Sequence, residues 1–201
     1  MHSNPRRFSS DMALPLAVSS HVSISEIDER LSQVEELLAA RRIGQARQIV
    51  MKLSVGWSSL EDVTAEATER LGRALLELSE YQLAEHFLSL AVQESAGESQ
   101  CLGSLGICRL MQNDGEAAMP FFKQSARLHL ADNDVEGLLA DLNNIVACSL
   151  SLNHPQLARD AIWEIVENRA RLTLELDRQI EELVGSLERC QTLMGANPLW
   201  N

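Results

Sequence analysis

Two stretches decide the fold, SEYQLAEHFLSLA (Ser79–Ala91) and NDGEAAMPFFKQS (Asn113–Ser125). Each begins with turn-forming residues and has an alanine in its sixth position, Ala84 or Ala118. A large apolar residue follows four places later, and the pattern continues three places after that. Spacings of four and three residues lie on one face of a helix. The small alanine allows that face to approach a neighbouring helix closely.

The same pattern occurs two more times, around Ala46 and around Ala158. In the two central units a Leu-Gly pair ends twelve residues before the alanine, at Gly72 and at Gly106, and these glycines are 34 residues apart. The last unit is offset by about six further residues, which indicates an insertion before it. The chain is therefore predicted to consist of repeated helix pairs.

Composition agrees with a helical chain that binds neither nucleic acid nor lipid. The 201 residues are 45% hydrophobic but only 4% aromatic, and Val and Ile do not form the runs typical of strands. The formal net charge of −12 disfavours contact with phosphates and anionic lipid surfaces. No apolar run approaches the length of a membrane span. We expect no nucleic-acid binding and no membrane insertion.

The cysteines indicate a reducing compartment. Cys101, Cys108, Cys148 and Cys190 form no C-x-x-C pair, and no histidine completes a zinc pattern. We expect buried or half-buried thiols in a cytoplasmic protein without a metal.

The period of 34 residues with paired helices resembles the tetratricopeptide repeat (TPR), whose first helix carries a Leu-Gly pair and whose second carries Ala, then an aromatic residue or Leu, then Ala. The resemblance covers residues 27–168 and is sharpest in units two and three. The family's early tryptophan and its proline after the second helix are missing. The resemblance implies an all-α fold, a TPR-like α-solenoid of about four helix pairs with a C-terminal capping helix.

The chain divides accordingly into four segments. Residues 1–22 are predicted to be a disordered N-terminal tail, 23–168 the TPR-like helical repeats, 169–194 the capping helix and 195–201 a short tail. Ser23 or Ser25 is the predicted N-cap of the first helix. Ser59 with Asp62 approximates a capping box at the start of the second unit.

Two segments resemble ligand loops but have simpler interpretations. GSLGICRL (Gly103–Leu110) lacks the preceding strand and the following Lys-Ser/Thr pair of a phosphate loop, so Gly106 is predicted to serve helix packing. Asp132–Gly137 begins like a calcium loop, but the twelfth position holds Asn143 where a glutamate is required. We predict an acidic turn there. Nucleophile motifs are also missing, so we expect neither enzymatic activity nor a cofactor.

In the TPR family, the first helices line a concave groove that takes an extended peptide. Transfer of the family's groove positions gives Gly103 and Ser151 together with ten predicted partner-binding residues. These ten are Glu69, Arg73, Leu76 and Glu77 in unit two, Ile107, Leu110 and Met111 in unit three, and Asn143, Ala147 and Leu150 in unit four. The Lys, Asn and Arg set that holds a C-terminal carboxylate in co-chaperones is absent apart from Asn143. The middle of the groove is apolar, which favours a peptide or helical segment of a protein partner.

Units two to four resemble more specifically the class II chaperones of type III secretion. LGICR (Leu105–Arg109) is similar to their Leu-Gly-x-Cys-Arg stretch, and Cys148 to the cysteine of their last repeat. This resemblance implies a cytoplasmic chaperone that holds a hydrophobic translocator in its groove. The longer termini, the insertion near Asp132, and Leu110 where the family usually has Gln depart from that pattern.

Two alternatives remain open at the level of sequence. LLADLNNIVACSLSL (Leu138–Leu152) resembles the Leu-Asn-Asn helix of TPR arrays in bacterial regulators, which favours an adaptor in signalling or assembly. A structural homo-oligomer, such as a homodimer, would use the groove or the end helices on a second copy of the chain.

Overall fold

The computed structural model describes residues 23–57, 60, 63–95, 99–166, 176, 178–186 and 189. Within these ranges the chain is helical apart from short connections and contains no strand. The helices are α1 (Ile24–Ala39), α2 (Ile43–Gly56), α3 (Ala65–Glu77), α4 (Tyr81–Ser95), α5 (Ser99–Met111), α6 (Gly115–Asp132), α7 (Val135–Ser151) and α8 (Pro155–Val166). None of these helices is long and apolar enough to span a membrane.

Helices adjacent in sequence pack against each other along the whole array. The pairs α1 with α2, α3 with α4, α5 with α6 and α7 with α8 are each in contact, and each pair contacts the next. This arrangement is the predicted all-α, solenoid-like fold of four helix pairs. The two central pairs, α3 with α4 and α5 with α6, have the most extensive contacts.

Glycine explains the close packing of the central pairs. A Cβ added at Gly72 would lie 2.8 Å from Leu88 Cγ, and one added at Gly106 would lie 2.7 Å from Phe122 Cε1. Leu88 and Phe122 are the apolar residues four places after the unit alanines, and both are fully buried. The helices can approach this closely only because the glycines lack a side chain. The packing role predicted for Gly106 is confirmed.

The turn inside each unit has the same geometry. Arg41, Ser79, Asn113 and Asn153 each adopt a left-handed conformation, with φ between 55° and 62°, five residues before the unit alanine. In each turn this residue donates its N–H to the carbonyl three residues back, and the next residue donates to the carbonyl five back. These are the two hydrogen bonds of a Schellman motif. The turns inside the four units therefore share one backbone conformation even where their sequences differ.

The caps of α1 and α3 test the predicted helix starts. Ser23 is the N-cap of α1, and its side chain accepts a hydrogen bond from the Glu26 N–H, as predicted. The helix α3 begins at Ala65 with Thr64 as N-cap, so the capping box predicted at Ser59 and Asp62 was wrong about where α3 starts. Both of those residues lie outside the described ranges. Thr64 caps the helix because its hydroxyl accepts a hydrogen bond from the Ala67 N–H at 3.1 Å.

Two apolar clusters fill the array. The first involves α1 to α5, and the second involves α6 to α8. Leu176, Ile180 and Val184, from the segment predicted to cap the array, are buried in the second cluster. The predicted tails, 1–22 and 195–201, lie outside the described residues, and of the predicted capping segment the structure describes 176, 178–186 and 189.

The glycine contact can be tested by adding one methyl group. Gly106→Ala should lower the free energy of unfolding by about 1–3 kcal/mol, because the new Cβ overlaps the Phe122 ring. Gly44→Ala is the matched control, since a Cβ there has no other atom within 4 Å. That variant should be neutral or gain up to about 1 kcal/mol from helix propensity. Urea denaturation measures both, and equal effects would contradict the packing role.

The left-handed turn residues give a second stability prediction. Ser79→Gly should raise the free energy of unfolding by about 1 kcal/mol or less, because glycine adopts a positive φ without the Cβ repulsion that serine suffers. Asn113→Gly should gain less, since asparagine tolerates this conformation better than serine. Thermal unfolding followed by circular dichroism compares the two variants. A larger gain at Asn113 would contradict the strain assigned to Ser79.

Candidate partner-binding groove

The first helices of the units lie on the inner side of the array. Cα atoms of α1 and α3, of α3 and α5, and of α5 and α7 come within 8 Å of each other, whereas among the described residues those of α2 and α4, and of α4 and α6, do not. An array whose first helices are closer together than most of its second helices curves toward the first helices. The inner face is where the sequence predicted a groove.

A cleft of about 400 Å³ opens on this face between α5 and α7. Arg73 of α3 lies at one side, and residues of α6 contribute to the floor. The residues that line the cleft are Arg73, Ser99, Gln100, Gly103, Ser104, Ile107, Ser125, His129, Asp134, Glu136, Gly137, Ala140, Asp141 and Asn144. Of the ten predicted groove residues, the structure brings Arg73 and Ile107 into this cleft.

The predicted apolar positions are accessible to differing degrees. Ile107, Leu110, Leu76 and Leu150 are half-buried, and Met111 is 52% exposed. Leu76 packs at the edge of the first apolar cluster, whereas Ile107 and Leu110 pack at the edge of the second. The apolar middle of the predicted groove is therefore not sealed inside the core.

The predicted polar positions of unit two surround Arg73. Glu69 lies 4.0 Å from the Arg73 guanidinium, four residues earlier on α3. Arg73 and Glu77 also line a smaller cavity of about 230 Å³ beside α1, together with Glu35 and Arg70. Arg73 thus lies between two hollows of the inner face.

The predicted positions of unit four lie beside the cleft. Asn143 and Ala147 are exposed, and the Asn143 amide donates to the Leu139 carbonyl of its own helix. The cleft is lined instead by Ala140 and Asn144, which occupy an adjacent face of α7 together with Gly137 and Asp141. The family's groove positions assume regular spacing between units, whereas the extra residues before unit four lengthen α6 to 18 residues and α7 to 17 and so shift which residues of α7 lie beside α5.

A buried carboxylate forms part of the cleft floor. Asp141 is only 4% exposed, and its Oδ2 atom has no hydrogen-bond partner. Burial raises the pKa of Asp141 to about 6, although the nearby Ser125 hydroxyl and the charge of His129 oppose the rise. A Cβ at Gly103 would lie 3.4 Å from both Asp141 Oδ1 and Ser125 Oγ, so the glycine on α5 faces this pair directly.

His129 connects the floor to the start of α7. Its Nδ1 lies 2.7 Å from Asp134 Oδ2, and its Nε2 lies 3.7 Å from Asp141 Oδ2. Asp134 also caps α7, since its Oδ1 accepts from the Gly137 N–H at 3.1 Å. This hydrogen bond is the main cause that lowers the pKa of Asp134. Gly137 is required because a Cβ there would lie 2.4 Å from the His129 ring.

The segment that resembled a calcium loop is this connection. Asp132 ends α6, Asn133 is its left-handed C-cap, and Asp134 is the N-cap of α7. The predicted acidic turn between helices is confirmed. In the described ranges, no group of three or more His, Cys, Asp or Glu side chains is arranged to hold a metal ion.

Sequence reasoning missed the cluster of Ser125, His129 and Asp141. One signal was available, because Asp141 stands between Leu138 and Leu142 in the apolar sequence of α7. A charged residue within a buried stripe is uncommon. The spatial meeting of α5, α6 and α7, which surrounds that carboxylate, had no signature in the sequence.

The cysteines of the array belong to its packing. Cys101, Cys108 and Cys148 are fully buried, as predicted, while Cys190 lies outside the described residues. Burial raises the pKa of Cys108 and that of Cys148 to about 11. These protonated thiols are not nucleophiles at neutral pH.

Comparison with known proteins adds no assignment to this geometry. No model of a protein family matches the sequence, and a search of curated proteins finds no significant match.

The Asp141 carboxylate should lower the free energy of unfolding at pH values where it is ionised. Because its native pKa lies above the ordinary carboxyl value, the cost is absent below about pH 4, grows as the pH rises, and is complete above about pH 6. Asp141→Asn should therefore raise the free energy of unfolding by on the order of 2 kcal/mol at about pH 8 and by much less at about pH 4. Urea denaturation at both pH values measures this difference. Asp160→Asn is the control, since that side chain is 70% exposed, and a destabilised Asp141→Asn at high pH would contradict the prediction.

Proposed function

We propose that this protein is a TPR-type interaction module that binds a peptide or helical segment of another protein in the cleft between α5 and α7. The observation that supports this most directly is a cleft of about 400 Å³ on the inner face, with apolar and polar side chains on its walls. Concave sites that combine apolar walls with a few polar groups are the usual form of binding sites.

The apolar side chains at and beside the cleft can supply the affinity. Ile107 lines the cleft, and Leu110 and Met111 follow it on the same helix. Burial of one side chain of this size contributes about 1.5–3 kcal/mol. Two or three such contacts would support micromolar binding after the costs of association.

A chaperone of the class II type, acting in the cytoplasm on a hydrophobic translocator, is the most specific form of this proposal. Its basis is the LGICR stretch, within which Leu105, Gly106 and Cys108 are buried and Arg109 forms an ion pair with Glu85. These residues hold α5 against its neighbours and do not line the cleft. The resemblance therefore supports the architecture of the repeat. Chaperone activity depends on other residues, which lie around the LGICR stretch.

A self-associating module is the alternative with a structural observation in its favour. Trp163 is 47% exposed and Leu157 is 46% exposed, both on α8 at the end of the array. Light scattering of the purified protein distinguishes a monomer from a dimer. A dimer that Trp163→Glu dissociates would favour this alternative.

The groove proposal is tested with peptides selected from a random display library. Ile107→Asp should weaken the selected peptides at least about tenfold, because a charged side chain replaces an apolar contact in the cleft. Val55→Asp is the matched control, since Val55 is 83% exposed on α2 and is not among the residues that line the cleft. Fluorescence anisotropy gives the dissociation constants, and circular dichroism verifies the fold. Equal affinity of both variants would contradict binding in the cleft.

The chaperone form has its own test. Co-expression with a translocator encoded beside this chain should raise the soluble fraction of the translocator, and Ile107→Asp should reverse that gain. A translocator that stays insoluble with the unsubstituted protein would refute the chaperone role and leave the binding module standing.

A further inference from the structure

We propose that the cleft selects a segment with a positively charged side chain, Lys or Arg, which pairs with the carboxylate of Asp141. This inference rests on the proposed function, because it specifies what the bound segment presents to the cleft floor.

The Asp141 carboxylate has an incomplete set of partners. An ionised carboxylate buried in a protein ordinarily accepts hydrogen bonds or pairs with a cation. Here Oδ2 has no hydrogen-bond partner, and the His129 Nε2 atom is 3.7 Å away, beyond hydrogen-bond range. Ser125, the polar neighbour of Asp141, donates its hydroxyl proton to the Ser99 carbonyl at 2.7 Å. The carboxylate therefore retains the capacity to accept from a further donor.

Gly103 of α5 lies directly beside the Asp141 carboxylate. A Cβ added at this position would already be in van der Waals contact with Oδ1, at 3.4 Å. Any larger residue at this position of α5 would cover the carboxylate further. Because glycine has no side chain, α5 adds no further cover over Oδ1.

The charged groups around the cleft favour a cation. Asp134 and Glu136 line the same cleft as Asp141, so α7 and its cap contribute three carboxylates. Opposite them are Arg73 from α3, which is half exposed, and His129 from α6, whose Nδ1 is paired with Asp134. Three acidic groups exceed the one permanent cation, and a cationic side chain in the cleft would balance them.

The walls fit the stem of such a side chain. Ile107 and Ala140 line the cleft together with Asp141, and they offer apolar surface to methylene groups. Lys and Arg bury their stems along apolar surface while the charged end meets a polar partner. A metal ion fits less well, because no set of three suitable side chains surrounds the site in the described residues.

The experiment uses the full-length protein and a display library of random peptides. Peptides enriched on the unsubstituted protein should share a Lys or Arg at one position beside apolar residues. Replacement of that residue by norleucine, which keeps the stem of lysine and removes its charge, should weaken binding by about tenfold or more.

Two variants place the effect at Asp141. Asp141→Asn should reduce the preference for Lys over norleucine to less than about twofold, because the charge that the cation meets is removed. Gly103→Ala should reduce the same preference by shielding the carboxylate, and it should fold stably, since alanine is favoured over glycine within a helix. Asp160→Asn, on α8, should leave the preference unchanged.

The outcomes separate this inference from the proposed function. Selected peptides that bind with equal affinity whether they carry Lys or norleucine would overturn the inference and leave the binding module intact. A Lys preference that survives in Asp141→Asn would also overturn it. A library that yields no binding peptide would refute both.

Discussion

The close approach of α5 to α6 at Gly106 and Phe122 is the contact on which the inner face depends. It brings Gly103, one turn earlier on α5, to the floor residues Ser125 and Asp141. A side chain at position 106 would push the two helices apart, and the hydrogen bond from Ser125 to Ser99 joins the same two helices. The packing of α5 against α6 and the position of the cleft floor thus both depend on the distance between these two helices.

Asp141 lowers the stability of the fold, but its carboxylate suits a binding surface. Its carboxylate is buried, is not fully hydrogen-bonded and carries a raised pKa. The fold would be served better by a neutral residue at that place. Groups that cost stability in an otherwise consistent structure are characteristic of functional sites. More exposed acids such as Glu164 and Asp114, by contrast, form an ion pair and a helix cap that cost little.

The hollows on the two faces of the array differ in whether their charged side chains have partners. A second hollow, of about 640 Å³, lies between α6 and α8 on the side of the second helices. Lys123 and Arg127 both pair with Glu164 across it, so its basic side chains already have a partner. The carboxylate on the inner face does not, which is why the cleft between α5 and α7 is the better candidate for a ligand.

The helical class, the number of units and the role of Gly106 could be read from the sequence, because each follows from spacing along a single helix. The turns at Arg41 and Ser79 could not, since neither residue type favours the left-handed conformation that the packed helices impose. The cleft was predicted only in part for a similar reason. Spacing within a helix determines which residues share a face, whereas the tertiary contact between α5, α6 and α7 decides which face meets its neighbour. The sequence alone therefore determined the repeat, and only the folded array brought Asp141 to the floor of an open cleft.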